Sequence, residues 1–225
     1  MPTTTRTSMK TPEAGAPAEA PENCPLCPRL AAYRQDNRAR DPSWFNDPVP
    51  SFGDPGARLL VVGLAPGRTG ANRTGRPFTG DHAGVLLYGT LIKAGFAQGV
   101  YEARPDDSVR LVDCMITNAV RCAPPGNKPE PSEGAACRPF LAARIAALPR
   151  LRAIVTLGDV ARRNVLKTLG LKASAAPAGH GVEVDVGPYR LFNSYHCSRL
   201  NTNTGRLTPE MFEGVFRRAR AWLDS

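Results

Sequence analysis

Apolar positions follow two rhythms along most of this chain. Residues 58–66 (RLLVVGLAP) form an apolar run closed by glycine and proline, the pattern of a strand buried on both faces of a parallel sheet. Residues 82–96 (HAGVLLYGTLIKAGF) switch to helical apolar spacing and stop at Gly95. Residues 111–119 (LVDCMITNA) predict a second strand, followed by the proline- and glycine-rich loop APPGNKPEP and a helix over 132–147. A third strand falls at 152–158 (RAIVTLG), with a helix from Asp159 to Leu169. Residues 182–186 and 189–195 predict two more strands, either a hairpin or separate. Thr208 as N-cap, Pro209 in the first helical position and Glu210 in the first turn open a last helix that runs to Leu223.

Strands alternating with helices predict an α/β fold, a three-layer α/β/α sandwich with a mostly parallel central sheet. Residues 1–22 are rich in Thr, Pro, Ala and Glu without apolar periodicity and predict a disordered N-terminal tail. Residues 23–225 then form one domain. Residues 41–56 are too proline-rich for a helix or an inner strand and predict an ordered, wrapping loop. No apolar stretch approaches the ~18 residues of a transmembrane helix, and the N-terminus has no apolar signal segment. A monomer in the cytoplasm is expected, associated with the nucleoid in a bacterium.

Composition sharpens this picture through charge. Hydrophobic residues are 42% of the chain, enough for a core, and the formal net charge is +9. Residues 1–22 hold Arg6 and Lys10 against Glu13, Glu19 and Glu22, so the positive charge belongs to the folded body. A basic body suits a polyanion, most often nucleic acid; a generally solvated basic surface is the alternative.

In a doubly wound sheet, ligands bind beyond the carboxyl ends of the strands. The polar clusters lie there: GLAPGRTGANRTGRPFTGD after the first strand, NAVRC after the second and HCSRLNTNTGR after the last. The GLAPG turn (63–67) lets backbone approach a ligand closely, or is a simple tight turn; without Gly-Lys-Ser/Thr it is no P-loop. Phe78 offers a face for stacking on a base or sugar, and Asp81 a carboxylate for a cation or a water; as alternative, Asp81 is a helix N-cap. Asn118 has the donor and acceptor needed to read a base edge, or caps a turn. His196 lies among polar loop residues, whereas His82 is expected to face solvent and His180 lies in a Gly/Ala-rich turn.

The six cysteines are at 24, 27, 114, 122, 137 and 197. Cys24 and Cys27 make a CPLC turn of the kind that opens metal sites, and Cys122 and Cys137 lie in the loop and helix after the second strand. Four such thiolates can hold zinc or an iron–sulfur cluster, and spacing does not separate the two; unrelated buried thiols are the bland alternative. Cys114 reads as core packing.

GLAPG with GANRTGRPFTGD, then TNAVRCAPPGNKP, then SYHCSRLNTNTGRLTP, in this order and with four cysteines around them, resemble the uracil-DNA glycosylase superfamily. The match is to its iron–sulfur branch, family 5 (type B), from Cys24 to the last helix. The resemblance implies an enzyme that flips uracil, and other deaminated bases, out of DNA and hydrolyses the N-glycosidic bond. It places Gly63, Ala65, Pro66 and Gly67 beside the flipped nucleotide, Phe78 on the base and Asn118 on its Watson–Crick edge. It makes His196 a donor to uracil O2 and, with Ala65 where other branches carry a polar residue, Asp81 the catalytic carboxylate. Leu200 or Arg199 would plug the vacated site, with Ser198, Arg73 and Arg206 on phosphates. Cys24, Cys27, Cys122 and Cys137 match the ligands of a structural [4Fe-4S] cluster. One departure is Cys197, where the family often has proline after the histidine; it implies a freer loop with an oxidisable thiol.

Two other functions compete. A non-catalytic nucleic-acid-binding module of this fold would not need Asp81, Asn118 and His196 together. A nucleotide hydrolase would prefer free nucleotides, whereas the +9 charge suits a long polyanion.

Overall fold

The computed structural model describes residues 18–225. In chain order, α1 (Pro28–Arg40) precedes β1 (Phe52–Gly53), β2 (Leu59–Gly63), the short α2 (Ala71–Thr74) and α3 (His82–Lys93). Next come β3 (Ala97–Gln98), β4 (Arg110–Leu111), β5 (Cys114–Asn118), α4 (Pro131–Ala146), β6 (Ala153–Leu157) and α5 (Asp159–Thr168). The chain closes with β7 (Glu183–Val186), β8 (Tyr189–Ser194), α6 (Arg199–Asn203) and α7 (Pro209–Asp224).

The main sheet has the order β1-β5-β2-β6-β8-β7. Its four inner strands run parallel, and β1 and β7 add antiparallel edges. Residues in β2 alternate between two cores, each covered by helices. Leu59 and Val61 pack with Leu87 and Leu91 of α3 and Phe212 and Phe216 of α7, whereas Leu60 and Val62 pack with Leu141 of α4 and Val165 of α5. Each such fully buried side chain contributes about 1.5–3 kcal/mol. This is the expected sandwich.

Three details differ from the sequence pattern. The second strand begins at Cys114, because Asp113 turns the chain at φ +55 and Arg110–Leu111 instead pairs with β3 in a separate ribbon. The last two strands form a hairpin through Gly187 at φ +63. Helix α1 has no counterpart in the apolar rhythm, since its buried side is Leu30, Arg34 and Asn37, and two of these are polar. The proline-rich 41–56 segment is mostly loop, and β1 within it occupies an edge, where such a sequence belongs.

The tail expectation covers residues 1–17, which lie outside the described residues, and residues 18–22, which contact the body. The Glu19 carboxylate accepts from Ser51 N at 3.0 Å and Arg121 Nη1 at 2.9 Å and pairs with Arg144, while the Ala18 carbonyl accepts from Arg121 Nη2 at 3.2 Å.

Candidate active site

The carboxyl ends of β2, β5 and β8 carry the site. Parallel pairing sets Gly63 opposite Asn118, and the glycine is required there. A Cβ at Gly63 would stand 2.4 Å from Asn118 Oδ1 and 2.5 Å from Phe78 Cζ. The missing side chain lets the amide and the ring share one wall.

Phe78 has φ +53, a left-handed backbone that a bulky residue adopts only under restraint. Two tyrosines supply it. Tyr101 Oη donates to the Phe78 carbonyl at 3.1 Å and Tyr88 Oη to the Pro77 carbonyl at 2.8 Å, with the two rings stacked at 4.6 Å. Beneath them Arg76 forms a two-pronged ion pair with Asp107, both bonds 2.7 Å.

Asp81 combines both readings of its sequence context. Its Oδ1 caps α3 by accepting from Gly84 N at 3.2 Å. Its Oδ2 lies against the loop after β2, where a Cβ on Gly70 would come within 2.4 Å and one on Gly67 within 3.1 Å. Capping thus locks the carboxylate in place at the cavity.

Asn118 is 2% exposed, and its Oδ1 is buried without a hydrogen-bond partner among the described residues. An unmet buried acceptor is costly unless a ligand donates to it. The His196 ring lies 6.2 Å from the Phe78 ring, and its carbonyl accepts from Asn201 Nδ2 at 2.8 Å. Burial holds the His196 pKa below its usual 6.5, against a smaller upward pull from the charge of Asp81. The imidazole is therefore neutral at pH 7 and retains one N–H donor.

Because its pKa is lower folded than unfolded, neutral His196 contributes stability above pH 6.5 that is lost as pH falls. A pH series of imidazole NMR spectra should show its ring titrating below 6.5; a midpoint at or above 6.5 would refute the neutral assignment.

These groups line one cavity of about 350 Å³. Ala65, Pro66, Gly67, Phe78, Asp81, Asn118, His196, Ser198 and Arg199 all face it. Gly63 lies just behind. Ser198 also caps α6, accepting from Asn201 N at 3.4 Å. Leu200 stands 73% exposed on α6 beside the rim. Arg73 and Arg206 lie off the cavity, Arg206 with its guanidinium 4.5 Å over the Tyr195 ring.

Sequence reasoning missed Arg68, Thr69 and Asn127 on the lining. His82 is exposed, as expected, and also lines the cavity, its Nε2 bonding Thr202 Oγ1 of α6 at 3.0 Å. A signal was available for Arg68 and Thr69, inside the first polar cluster, and for Asn127, inside the TNAVRCAPPGNKP motif. Cys197 corrects the expectation of a free, oxidisable thiol. It is wholly buried in the core beneath α7, and burial drives its pKa up, keeping it a protonated thiol.

A second assembly lies beyond β5. Cys24, Cys122 and Cys137 are buried together with Leu30, Val120 and Phe140, and Cys27 packs against them. All four are unpaired as disulfides. Burial, and then the nearby Cys137, Glu133 and Cys24, push Cys27 up to about 11, while Arg34 pulls the other way. Burial pushes Cys122 up to about 12. Among the described residues, no three His, Cys, Asp or Glu side chains converge on a point fit for a single ion. Cys114 is core packing, fully buried in β5.

A cavity of about 350 Å³ at a strand-end crevice, walled by an aromatic ring, an amide, a histidine and a carboxylate, marks the class of α/β proteins that take ligands beyond the carboxyl ends of their strands. The Uracil DNA glycosylase superfamily profile matches residues 50–220. A type-5 uracil-DNA glycosylase of Thermus thermophilus is 48% identical over 204 residues, covering 88% of this chain and 92% of the relative. One from Pyrobaculum aerophilum is 45% identical, with 88% of each chain covered. A type-4 uracil-DNA glycosylase of the same organism is 33% identical over 68% of this chain and 64% of its own length. The chain belongs to the uracil DNA glycosylase superfamily, in its type-5 branch. No helix among the described residues is long and apolar enough to cross a membrane.

Proposed function

We propose that this chain is a monofunctional DNA glycosylase that removes uracil, and other deaminated bases, from DNA and so starts base excision repair. The observation that carries the reading is the unmet acceptor of Asn118, set in one cavity with Phe78, His196 and Asp81. Uracil offers an N3–H to that acceptor and a carbonyl to the Asn118 amide N–H; cytosine reverses both, so the amide sorts one from the other. The Phe78 ring covers the base face.

As the C1′–N1 bond breaks, its electron pair leaves with the base. Neutral His196 donates to O2 and stabilises the charge that develops there. The sugar becomes oxocarbenium-like. The Asp81 carboxylate stabilises it and takes the proton of the water that adds to C1′, leaving an abasic site and the uracil anion, which is protonated by solvent on release. Among the described residues no lysine lines the cavity, so an amine nucleophile for strand cleavage has no candidate there.

Cys24, Cys27, Cys122 and Cys137 would hold a [4Fe-4S] cluster. A cubane spaces its thiolates more widely than one ion does, which suits four gathered thiols that do not converge. Bound, the cluster supplies a structural staple joining the start of α1, the loop after β5 and α4. On the DNA side, exposed Leu200 with Arg199 is the wedge, and Ser198, Arg73 and Arg206 are phosphate contacts. Residues 23–225 act as one domain and as a monomer in the cytoplasm, with residues 18–22 held against it through Glu19.

The test is a labelled duplex with one uracil opposite guanine. A strand cut only after alkali is the expected result. A cut without alkali would overturn the monofunctional assignment, and an intact strand after alkali the substrate.

A further inference from the structure

We propose that Arg34 is the internal counter-ion of the four-cysteine centre, placed to neutralise a negatively charged cluster. This rests on the cluster reading above and goes beyond the cysteines themselves.

Among the described residues, four arginines are buried: Arg34, Arg76, Arg121 and Arg162. Three have a carboxylate: Arg76 pairs with Asp107, Arg121 with Glu19 and Arg162 with Asp159. Arg34 has none within 4.0 Å among the described residues. Its nearest anionic candidate is sulfur: Nη1 lies 3.5 Å from Cys122 Sγ, and Nη2 donates to the Cys24 carbonyl at 3.1 Å. Its Nε is buried without a partner among the described residues. Glu133 is engaged elsewhere, accepting from Arg29 Nε and Nη2 at 2.8 Å each.

A buried guanidinium with no counter-charge is strongly unfavourable. Neutral thiols cannot supply that charge, whereas four cluster-bound thiolates carry a net negative charge that can. Arg34 is on α1, one turn after the residues that follow the CPLC turn, so folding of the helix delivers the cation to the sulfurs. Positive charge and N–H donors at cluster sulfurs stabilise the more negative, reduced state. Arg34 thereby sets both how firmly the cluster is kept and how easily it accepts an electron.

The test compares the full-length protein with Arg34→Met, Arg34→Gln and Arg34→Lys. Iron and acid-labile sulfide content, loss of visible absorbance under a chelator, and the midpoint of a dithionite titration are measured. Arg34→Met and Arg34→Gln should lose cluster about 10- to 100-fold faster and titrate at a more negative potential. Arg34→Lys, which keeps the charge, should recover most of the potential. If Arg34→Met does not fold, the Gln and Lys variants decide by the same readouts. Equal retention and equal potential in charged and neutral variants would overturn the counter-ion role. Wild-type protein without iron or sulfide would instead overturn the cluster reading.

Discussion

Asp81→Asn should leave the protein folded and lower single-turnover uracil excision by about 10²- to 10⁴-fold. The substitution is chosen because Asp81 does two jobs. Its Oδ1 caps α3 through Gly84 N, and asparagine caps about as well as aspartate. The amide variant therefore keeps the helix start while removing the negative charge and the proton acceptor. Asp81→Ala loses the cap as well and should cost about 1 kcal/mol of stability in addition. Excision rates and thermal midpoints measured side by side separate the effects. An unaltered excision rate in Asp81→Asn would show that the packing of Asp81 against Gly67 and Gly70 is structural only.

Asp107→Ala should give the largest loss of stability, about 3–5 kcal/mol, by leaving the Arg76 guanidinium buried without its partner. The pair is enclosed: the side chains are 6% and 0% exposed, and Arg76 lies 5.2 Å from the ring centroids of Phe52 and Tyr88. At about 2–4 °C per kcal/mol for a domain of this size, the thermal midpoint should fall by roughly 6–20 °C. The bond to Arg76 holds the Asp107 pKa down at about 2, against an ordinary 3.8. A carboxylate depressed on folding stabilises fully above pH 3.8 and loses that contribution as pH falls through about 2. The gap between wild type and Asp107→Ala should therefore close in acid over that window. A midpoint change under 2–4 °C, about the equivalent of 1 kcal/mol, would rule out a structural role of this size.

Asp107 had no signal in the linear chain, though the Phe78 loop depends on it. Arg76 stands in the GRPFTGD motif, and nothing in that motif announces a carboxylate thirty-one positions on. The same holds for Tyr88 and Tyr101, which restrain the left-handed Phe78 backbone from a helix and a separate loop. Helix α1 escaped for a related reason: two of its three buried side chains, Arg34 and Asn37, are polar, so no apolar period marks it. His82 reaches the cavity from a segment whose composition describes only a helix start.

By contrast, the strand order of chemistry was legible. Buried parallel strands are near-continuous apolar runs, and their polar ends name the ligand crevice, so Gly63, Phe78, Asp81, Asn118 and His196 could be picked out from local pattern and motif resemblance. Local chemistry suffices where a residue's role depends on its neighbours in the chain. It does not suffice where the role depends on what is absent around a side chain. That Asn118 Oδ1 finds no donor and Arg34 no carboxylate among the described residues, and that Cys197 is shut off from solvent, are properties of three-dimensional surroundings, created only when distant segments pack together and exclude water.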